Sequence, residues 1–475
     1  MSTDGTKVDG IFGTGIRRSP WLAEALAVEP PTEGTALRGR TTADVCIVGG
    51  GYTGLWTALE LKIRRPDLDV CLVEAGVCGS GASGTNAGLL MNLWPKFPSL
   101  EALAGRTEAT WLAQQSSNAV DDVIGFCRDH DIEAHIERRG WLWASSAPAQ
   151  DGAWTESLNL VEGLDGAPFR VLDGDTARAL GSTALRGGVL DPTSATLQPA
   201  LLVRGLRRVA VERYGVRIYE HTPMRATEER GNCTHVVTSH GRVEAGAVVL
   251  AINAWMSAFA HVRRTMVMSA SDNAITRPLP PELLAGAGDP GLGVSDSTRM
   301  LNYWRTTRDA RVVFGKGGVG LGFRQHGARS MFGPVRRDAI IRREFDRLLP
   351  ALAGEDFAAT WRAPVEYTLT SLPYFRQLPG RSRVWFGTGY SGDGVGPSRM
   401  GGRILASLVL GEDDEWSNCA FTQPPRGWLP PEPFRFLGGQ VVKHAMISKE
   451  RAENDGRTPG SVVGALSRLD PTTWV

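Results

Sequence analysis

The sequence predicts an α/β fold in which a doubly wound, Rossmann-like domain is interrupted by an α+β domain built on an antiparallel or mixed sheet. A strand, a turn, a helix and a second strand follow one another near the start of the chain, and the same alternation resumes twice further on. The chain has 475 residues, more than one hydrophobic core usually serves, so two domains are expected.

The first strand–turn–helix unit carries three glycines with the spacing G-x-G-x-x-G. Gly49 permits the tight turn, Gly51 lets the backbone approach a pyrophosphate, and Gly54 packs the helix against the strand. The helix N-terminus then turns its free N–H groups towards the phosphates. A second apolar run, 70–73, ends in Glu74, where a carboxylate accepts the ribose hydroxyls of an adenosine cofactor. The stretch predicts a dinucleotide site.

The glycine spacing alone is a weak signal, because 57 glycines in the chain produce chance matches. Strand, glycines, helix, second strand and terminal acid occur here in order, which makes the pattern more specific. The alternative is a βαβ unit whose glycines serve only packing. The motif itself does not distinguish NAD from FAD.

Composition excludes several classes of partner. The 52 basic and 51 acidic residues give a net charge of +1, which offers no electrostatic footprint for nucleic acid or an anionic membrane. The six cysteines form no C-x-x-C pair, and the eight histidines show no ligand spacing. We therefore expect reduced thiols, no metal site and a cytoplasmic protein.

Neither the first ten residues nor the most apolar segment predicts a membrane protein. Residues 1–10 lack the basic and apolar regions of a signal peptide. The most apolar segment, 247–262, is shorter than the span of about 20 residues that a bilayer requires. It reads as a buried strand followed by a short helix.

The middle of the chain predicts how the domains are interleaved. Residues 132–146 resemble a hairpin, whereas strands alternate with a helix again between 187 and 253. Asn253 follows the last of these strands, and open α/β sheets bind ligands at that end. The first domain is predicted at 1–92, 187–262 and 366–425, the inserted substrate domain at 93–186 and 263–365, and a helical tail at 426–475.

A second glycine-rich loop follows the strand predicted at 384–388. Five glycines fall between 387 and 396, and Pro397 is a favourable first residue for the helix behind them. A helix N-terminus stabilises an electron-rich group such as the N1–C2=O edge of a reduced flavin. The alternative is a flexible hinge loop.

Taken in order, these motifs resemble the D-amino-acid-oxidase-like superfamily of FAD-dependent amine oxidoreductases. The resemblance covers most of residues 17–412. Within the superfamily, the chain is similar in particular to the γ-glutamylputrescine oxidases and the aminophosphonate oxidoreductases. The resemblance rests on DVCIVGGGYTGLWTALEL, GSGASGTNAGLL, AINAW, NYWRTTRDARVVFGKG, WRAPVEYT and GTGYSGDGVG.

The resemblance implies a noncovalent FAD, since the GASGTNAG segment holds neither His nor Cys. Its pyrophosphate and ribose would meet the first glycines and Glu74. The other cofactor-binding residues expected by position or at a strand end are Ser83, Asn86 and Ala87 beside the flavin, Met224 at the adenine, Asn253, and Gly389, Tyr390, Gly392, Gly394 and Val395 around the isoalloxazine edge.

The resemblance also implies a reaction. A neutral small-molecule amine would lie over the flavin and pass a hydride to N5, the imine would be hydrolysed, and O2 or another acceptor would reoxidise the flavin. Two arginines could hold a carboxylate or phosphonate, although an exposed salt bridge is the commoner fate of an arginine. The expected substrate-side residues are Tyr303 at the amine, Arg305 and Arg362, Glu366 at a distal cationic amine, and Ser271 with Asp272 near N5.

Two positions depart from the family pattern. Asp393 stands where relatives often have His or Asn, and Ala363 stands where they have Gly. A carboxylate near the flavin edge would disfavour an anionic reduced ring, so Asp393 is expected to turn outward or to have a modified role. Two other classes of function stay open, a flavoenzyme that desaturates a biosynthetic intermediate and a dinucleotide-binding scaffold without turnover. The oligomeric state is not predicted.

Overall fold

The structure is a computed structural model that describes residues 6–7, 19–30, 36–323, 331–333, 335, 338–425 and 427–470. Its strands are β1 (Thr6–Lys7), β2 (Gly39–Val48), β3 (Val70–Val73), β4 (Leu89–Leu90), β5 (Trp141–Ser145), β6 (Arg170–Leu172), β7 (Gly187–Asp191), β8 (Ala195–Thr196), β9 (Arg217–Tyr219), β10 (Met224–Arg230), β11 (Cys233–Thr238), β12 (Gly241–Leu250), β13 (Met266–Thr276), β14 (Gly293–Asp296), β15 (Asn302–Thr306), β16 (Val312–Leu321), β17 (Phe357–Thr368), β18 (Tyr374–Gln377) and β19 (Val384–Thr388).

The helices of the described residues are α1 (Pro20–Val28), α2 (Tyr52–Arg64), α3 (Phe97–Ala104), α4 (Arg106–Asp129), α5 (Thr155–Val161), α6 (Gly174–Leu180), α7 (Pro199–Glu212), α8 (Ala260–Arg263), α9 (Pro281–Leu284), α10 (Asp338–Leu348), α11 (Pro397–Leu410), α12 (Glu415–Asn418), α13 (Phe434–Asn454) and α14 (Ser461–Ser467). None of these helices combines the length and the apolar character needed to cross a bilayer.

The first sheet carries the predicted doubly wound pattern. Among the described residues it runs in the order β1-β10-β11-β12-β2-β3-β9, with β19 also paired to β12 and β18 to β19. The pairs β12–β2, β2–β3, β3–β9 and β12–β19 are parallel. The carboxyl ends of β2, β12 and β19 therefore lie side by side, and the loops that follow them meet at one edge of the sheet.

The second sheet is mixed, as predicted for the inserted domain. Its order in the described residues is β17-β13-β16-β15-β14-β5-β7-β6, and every pair is antiparallel except β14–β5. Helix α10 covers it with Ile341, Phe345 and Leu348, whose spacing of three and four residues forms one apolar face. The ring of Phe345 meets that of Phe314 edge to face, with their centroids 5.6 Å apart. The α/β fold class with a mixed second sheet is confirmed.

Two details of the predicted organisation are wrong. The expected hairpin at 132–146 is the single strand β5, whose partners are β7 and β14. Strand β7, assigned to the first domain, lies in the second sheet because it pairs in register with β5. An apolar run predicts a strand but not its partner, which depends on contacts far along the chain. The other proposed domain boundaries stay a prediction.

Candidate cofactor and substrate site

The first glycine loop leaves no room for side chains. Gly49 has φ +110°, and a Cβ there would overlap the carbonyl oxygen of Ala251 at the end of β12. A Cβ on Gly54 would overlap the carbonyl oxygen of Gly49, which fixes helix against strand as the motif requires. Gly51 is the N-cap of α2 and brings no side chain to the helix end. The turn is thus a cradle of backbone at a helix N-terminus, which suits a pyrophosphate.

Glu74 stands one residue past β3 and closes the same cradle. Its Oε2 accepts the N–H of Gly50 at 2.7 Å, and its Oε1 accepts the N–H of Gly76 at 2.8 Å. Burial raises the pKa of the carboxyl group, and nearby Glu220 adds to the effect. Glu74 is therefore held by the backbone on both sides at the position expected for a ribose.

Residues 82–88 form a tight segment beside α2. Ser83 Oγ accepts the N–H of Tyr52, the first residue of α2, at 2.9 Å. The amide of Asn86 donates to the carbonyls of Ala82 and Ser83 and accepts the N–H of Gly88. Ser83, Asn86 and the following Ala87 are thus brought together on the sequence-predicted flavin side.

The second glycine loop lies against the first, although 337 positions of sequence separate the two residues that join them. Tyr390 Oη and Thr53 Oγ1 are 2.7 Å apart. Burial raises the pKa of Tyr390 well above its usual value, which keeps the phenol neutral. Helix α11 begins directly behind this loop at Pro397, and its N-cap Gly396 carries no capping side chain. The two loops thus bring together two helix N-termini whose N-cap residues are glycines without a side chain.

Asn253 and Met224 occupy different places around this edge. Asn253 follows β12 with φ +46°, and its carbonyl accepts the hydroxyl of Thr388, the last residue of β19, at 3.3 Å. Asn253 thus lies beside the second glycine loop. Met224 is buried at the start of β10, opposite Thr238 of β11.

The charge of Asp393 is compensated by a residue that sequence reasoning missed. Lys96 Nζ lies 2.7 Å from Asp393 Oδ2 and donates to the carbonyl of Ser371 at 2.9 Å. An opposite charge at this distance offsets the field of the carboxylate at the loop. Lys96 sits in a Pro-punctuated connection, and no spacing or charge pattern there indicates a partner for Asp393.

Glu366 lies buried beneath the second glycine loop. Its Oε1 accepts the N–H groups of Gly389 at 3.2 Å and Tyr390 at 3.3 Å. Burial raises the pKa of the carboxyl group to about 7, although the two backbone donors oppose the shift. Because the carboxylate faces the loop backbone, Glu366 positions the loop, and the structure gives no support for the predicted contact with a distal amine.

Tyr303 and Ser271 meet on one face of the second sheet. Tyr303 Oη lies 2.6 Å from Ser271 Oγ and donates to Asn273 Oδ1 at 3.1 Å. Burial raises the pKa of Tyr303 to about 12, and the charge of Asp272 contributes. The phenol is therefore neutral, and its ring covers Gly315 of β16, where a side chain would collide with it.

The two arginines proposed as anion ligands are engaged elsewhere. Arg305 donates to the carbonyls of Ala87 at 2.6 Å, Leu197 at 2.6 Å and Thr306 at 3.1 Å. Burial lowers the pKa of Arg305 to about 10, and the charge of Arg311 adds to this. Arg305 thus clamps the segment at Ala87 to the second sheet.

Arg362 is paired within the second sheet. It forms a two-pronged ion pair with Asp272 on the neighbouring strand, with N···O distances of 2.5 and 2.6 Å. Asp272 thus occupies the Nε–Nη2 edge of the guanidinium and compensates its charge within the sheet. Neither arginine therefore enters the substrate site that we propose.

Tyr367 is a second residue that sequence reasoning did not select. Its hydroxyl makes no hydrogen bond with any residue that the structure describes, and it lies 3.8 Å from the Cβ position of Gly392 and 3.9 Å from that of Gly317. Burial raises the pKa of the phenol well above its usual value. The concentration of four of the seven tyrosines between 303 and 390 was the available signal.

A cavity of about 580 Å³ extends from Tyr367 towards the C-terminal tail. It lies between strands β13 and β16 of the second sheet and helix α13. Its inner end includes Ser371, the residue whose carbonyl Lys96 holds. The cavity therefore opens beside the second glycine loop.

The residues present fit a dinucleotide that spans the two glycine loops. Side chains are excluded where a pyrophosphate would approach, two helix N-termini face the site, and Glu74 stands at the ribose position. Fold and site together define a dinucleotide-dependent oxidoreductase with the cofactor at the carboxyl edge of a parallel sheet.

The chain belongs to the DAO family of FAD-dependent oxidoreductases, whose profile matches residues 44–408. FAD is thus the cofactor, and the resemblance drawn from the motifs is confirmed at family level. Among its relatives is the "Probable oxidoreductase OrdL" of Rhizobium meliloti, 30% identical over 79% of this chain and 85% of that protein. The γ-glutamylputrescine oxidoreductase of Escherichia coli is 27% identical over 85% of this chain and 89% of its own.

Solved structures show the same fold. The glycine oxidase of Geobacillus kaustophilus superposes with a TM-score of 0.67 at 22% identity, over 81% of this chain and 99% of that one.

Proposed function

We propose that this enzyme oxidises a carbon–nitrogen bond of a small-molecule amine to an imine. The α C–H bond of the amine breaks and its hydrogen leaves with both electrons, the nitrogen releases a proton, and water hydrolyses the imine afterwards. FAD held by the two glycine loops would supply the hydride acceptor, and O2 or another acceptor would then take up the electrons.

The observation that carries the proposal is the hydroxyl of Tyr367, which has no hydrogen-bond partner among the described residues and lies between the second sheet and the second glycine loop. A neutral phenol there accepts a hydrogen bond from a neutral amine and so positions the nitrogen without charging it. The sheet face around it is small and uncharged, because Ser269 and Ser271 of β13 stand opposite Val365 and Ala363 of β17. Such a surface lets an amine approach the loop closely.

The chain supplies orientation and electrostatics. Tyr303 lies on the same face of the second sheet and closes the site against Gly315. The N-terminus of α11, with its positive dipole end, would favour negative charge at the edge of a flavin bound there. Lys96 keeps Asp393 from opposing that effect. No protein base is required, since binding can select the neutral amine.

The relatives support an amine. The name of the Escherichia coli relative specifies γ-glutamylputrescine, and the structural neighbour is a glycine oxidase. Both names describe compounds with an amino or substituted amino group. We propose that the FAD of this chain is noncovalent, because residues 82–88 contain neither His nor Cys. A cytoplasmic location stays a prediction.

An anaerobic titration tests the proposal. Purified protein with bound FAD is mixed with primary and secondary amines, polyamines, N-methyl amino acids and aminophosphonates while the flavin absorbance near 450 nm, roughly where oxidised flavins absorb, is followed. We expect bleaching by at least one amine and a carbonyl product after hydrolysis. A flavin that stays oxidised with every amine but is bleached by a compound without nitrogen would overturn the proposal.

A further inference from the structure

Five glycines of β16 and α13 contribute to the lining of the cavity beside Tyr367. Strand β16 contributes Gly317, Gly318 and Gly320, and helix α13 contributes Gly438 and Gly439. A Cβ on Gly439 would overlap the side chain of Leu321, so this glycine permits the close approach of α13 to β16. A gap of about 580 Å³ next to a reaction site is of the size that small-molecule ligands occupy.

The walls of the cavity are mainly apolar. Its apolar side chains come from the second sheet and its connections, with Met268, Met300 and Leu321, and from the tail, with Leu429, Phe436 and Met446. Apolar walls bind apolar surface through the hydrophobic effect, which strengthens with each group removed from water.

The cations around the cavity are already engaged. Arg299 Nε lies 2.7 Å from Asp470 Oδ2, and Arg435 pairs with Glu432. Lys443 also has an interaction partner. Among the lining residues that the structure describes, a substrate carboxylate would find no unpaired cation. Burying a carboxylate in such a place is costly.

The two ends of the cavity differ. The inner end reaches Tyr367, whose hydroxyl is the proposed partner of the amine. The outer end is bordered by Phe434, Val441 and Leu469, all of which are more than half exposed to solvent. A ligand with its polar group at Tyr367 and its apolar part towards α13 would match both ends.

We propose that the cavity binds the apolar substituent of the substrate, an amine that carries an alkyl or aryl chain and no carboxylate beside its nitrogen. This inference rests on the proposed amine oxidation and adds the substrate class. The nitrogen of the substrate lies at Tyr367, and its alkyl or aryl chain extends between β16 and α13.

A chain-length series tests the inference on the protein with bound FAD. N-methylated n-alkylamines from ethyl to octyl are added anaerobically, with sarcosine and glycine as carboxylate-bearing counterparts. We expect the dissociation constant for flavin reduction to fall roughly fourfold per buried methylene, until the cavity is filled. Equal affinity along the series, or tighter binding of sarcosine than of the longest alkylamine, would overturn the inference.

Substitutions of Met446 test whether the increase in affinity with alkyl chain length arises in this cavity. Met446→Glu places a charge in the apolar wall while keeping a good helix former in α13, and it should reduce the gain per methylene by half or more. Met446→Leu, which conserves volume and polarity, should keep the wild-type gain. If Met446→Glu folds and keeps the wild-type gain in affinity per methylene, the alkyl chain of the substrate binds outside this cavity and the inference is overturned.

Failure of amine oxidation is separated from failure of the substrate class. If no amine bleaches the flavin, the same series is followed by isothermal titration calorimetry, which requires no turnover. Binding that tightens with chain length then supports the cavity assignment and rejects only the reaction. Binding without chain-length dependence overturns the cavity assignment itself.

Discussion

Glu366, which holds the second glycine loop, makes the stability of the protein depend on pH. Its buried carboxyl group has a pKa of about 7, against an ordinary value of 4.5. Between these two values the folded protein holds a proton that the unfolded chain has released. The free energy of unfolding therefore falls as the pH rises from 4.5 to 7, by about 3 kcal/mol at most.

Substitution of Glu366 by Gln should remove this pH dependence. The neutral amide still offers an oxygen to the N–H groups of Gly389 and Tyr390 and does not ionise, so the variant should exceed the wild type in stability at pH 8. At pH 5 the difference should be smaller. Urea unfolding at both pH values measures it, and an equal difference at the two values would contradict the assignment.

Tyr367 leads to a prediction about activity. Its hydroxyl makes no bond within the described part of the chain, so Tyr367→Phe should leave the stability and the flavin spectrum unchanged. Loss of a hydrogen bond to the amine should lower kcat/KM about 10-fold to 100-fold, because such a bond contributes about 1–3 kcal/mol when its partner is buried.

Tyr214→Phe provides the control for this comparison. Tyr214 follows α7 and its ring contacts His130, away from both glycine loops. It should retain wild-type activity. Stopped-flow flavin reduction separates the two variants, and equal rates for both would remove Tyr367 from the substrate site.

Each glycine loop can be predicted from its own sequence, but the contact between the two loops cannot. The spacing of Gly49, Gly51 and Gly54 predicts one half of the cofactor site because that half is local in sequence. The second loop was predicted from its own glycines and the helix behind it. The bond between Tyr390 and Thr53 joins the two, and it depends on a pairing of distant strands that no local pattern records.

A double-mutant cycle on this bond tests whether it serves FAD binding. Tyr390→Phe and Thr53→Val each remove one partner and should each weaken FAD binding about fivefold, because each loses roughly 1 kcal/mol. The double variant should be little worse than either single one, since the same bond is lost only once. Fluorescence titration of the flavin-free protein with FAD measures all four constants. Additive losses would show that the hydroxyl groups act independently.

The same limit explains which candidate site residues the sequence can indicate. Ser83, Asn86 and Gly389 lie in glycine-rich segments that a sequence displays. Lys96 and Tyr367 lie in segments without such a pattern, and their roles arise from contacts with residues far along the chain. Arg305 and Arg362 are residues of the type that binds anions, but the sequence does not show what they contact. Arg305 donates to the carbonyls of Ala87 and Leu197, and Arg362 pairs with Asp272.

At the scale of the whole molecule, the two sheets are joined at the segment that we propose lies beside the flavin. Arg305 of β15 holds the carbonyls of Ala87 and Leu197, and Trp361 of β17 donates its indole N–H to the carbonyl of Thr85 at 2.7 Å. Both contacts cross from the second sheet to the segment beside α2. The fold class was predictable from periodicity, whereas these cross-sheet contacts required the register of both sheets.

The C-terminal tail is attached to the second sheet through a buried charge pair. Lys316 Nζ of β16 lies 3.3 Å from Glu450 Oε2 of α13, and Glu450 Oε1 accepts the N–H of Met300 at 2.6 Å. Both charged side chains are buried. Removal of one partner of such a pair leaves an uncompensated charge and costs about 3–5 kcal/mol.

Glu450→Ala should therefore release the tail before the rest of the protein unfolds. The contacts of α13 reach the second sheet and its connections, and the first sheet with its glycine loops keeps its own core. Lys449→Ala removes only the more exposed pair with Glu453, which is worth about 1 kcal/mol or less, and serves as the control. Limited proteolysis should cut Glu450→Ala, but not the control, between 423 and 433, while FAD stays bound. If FAD is released together with the tail, the tail and the cofactor site form one cooperative unit, and α13 stabilises the flavin loop as well as the cavity wall.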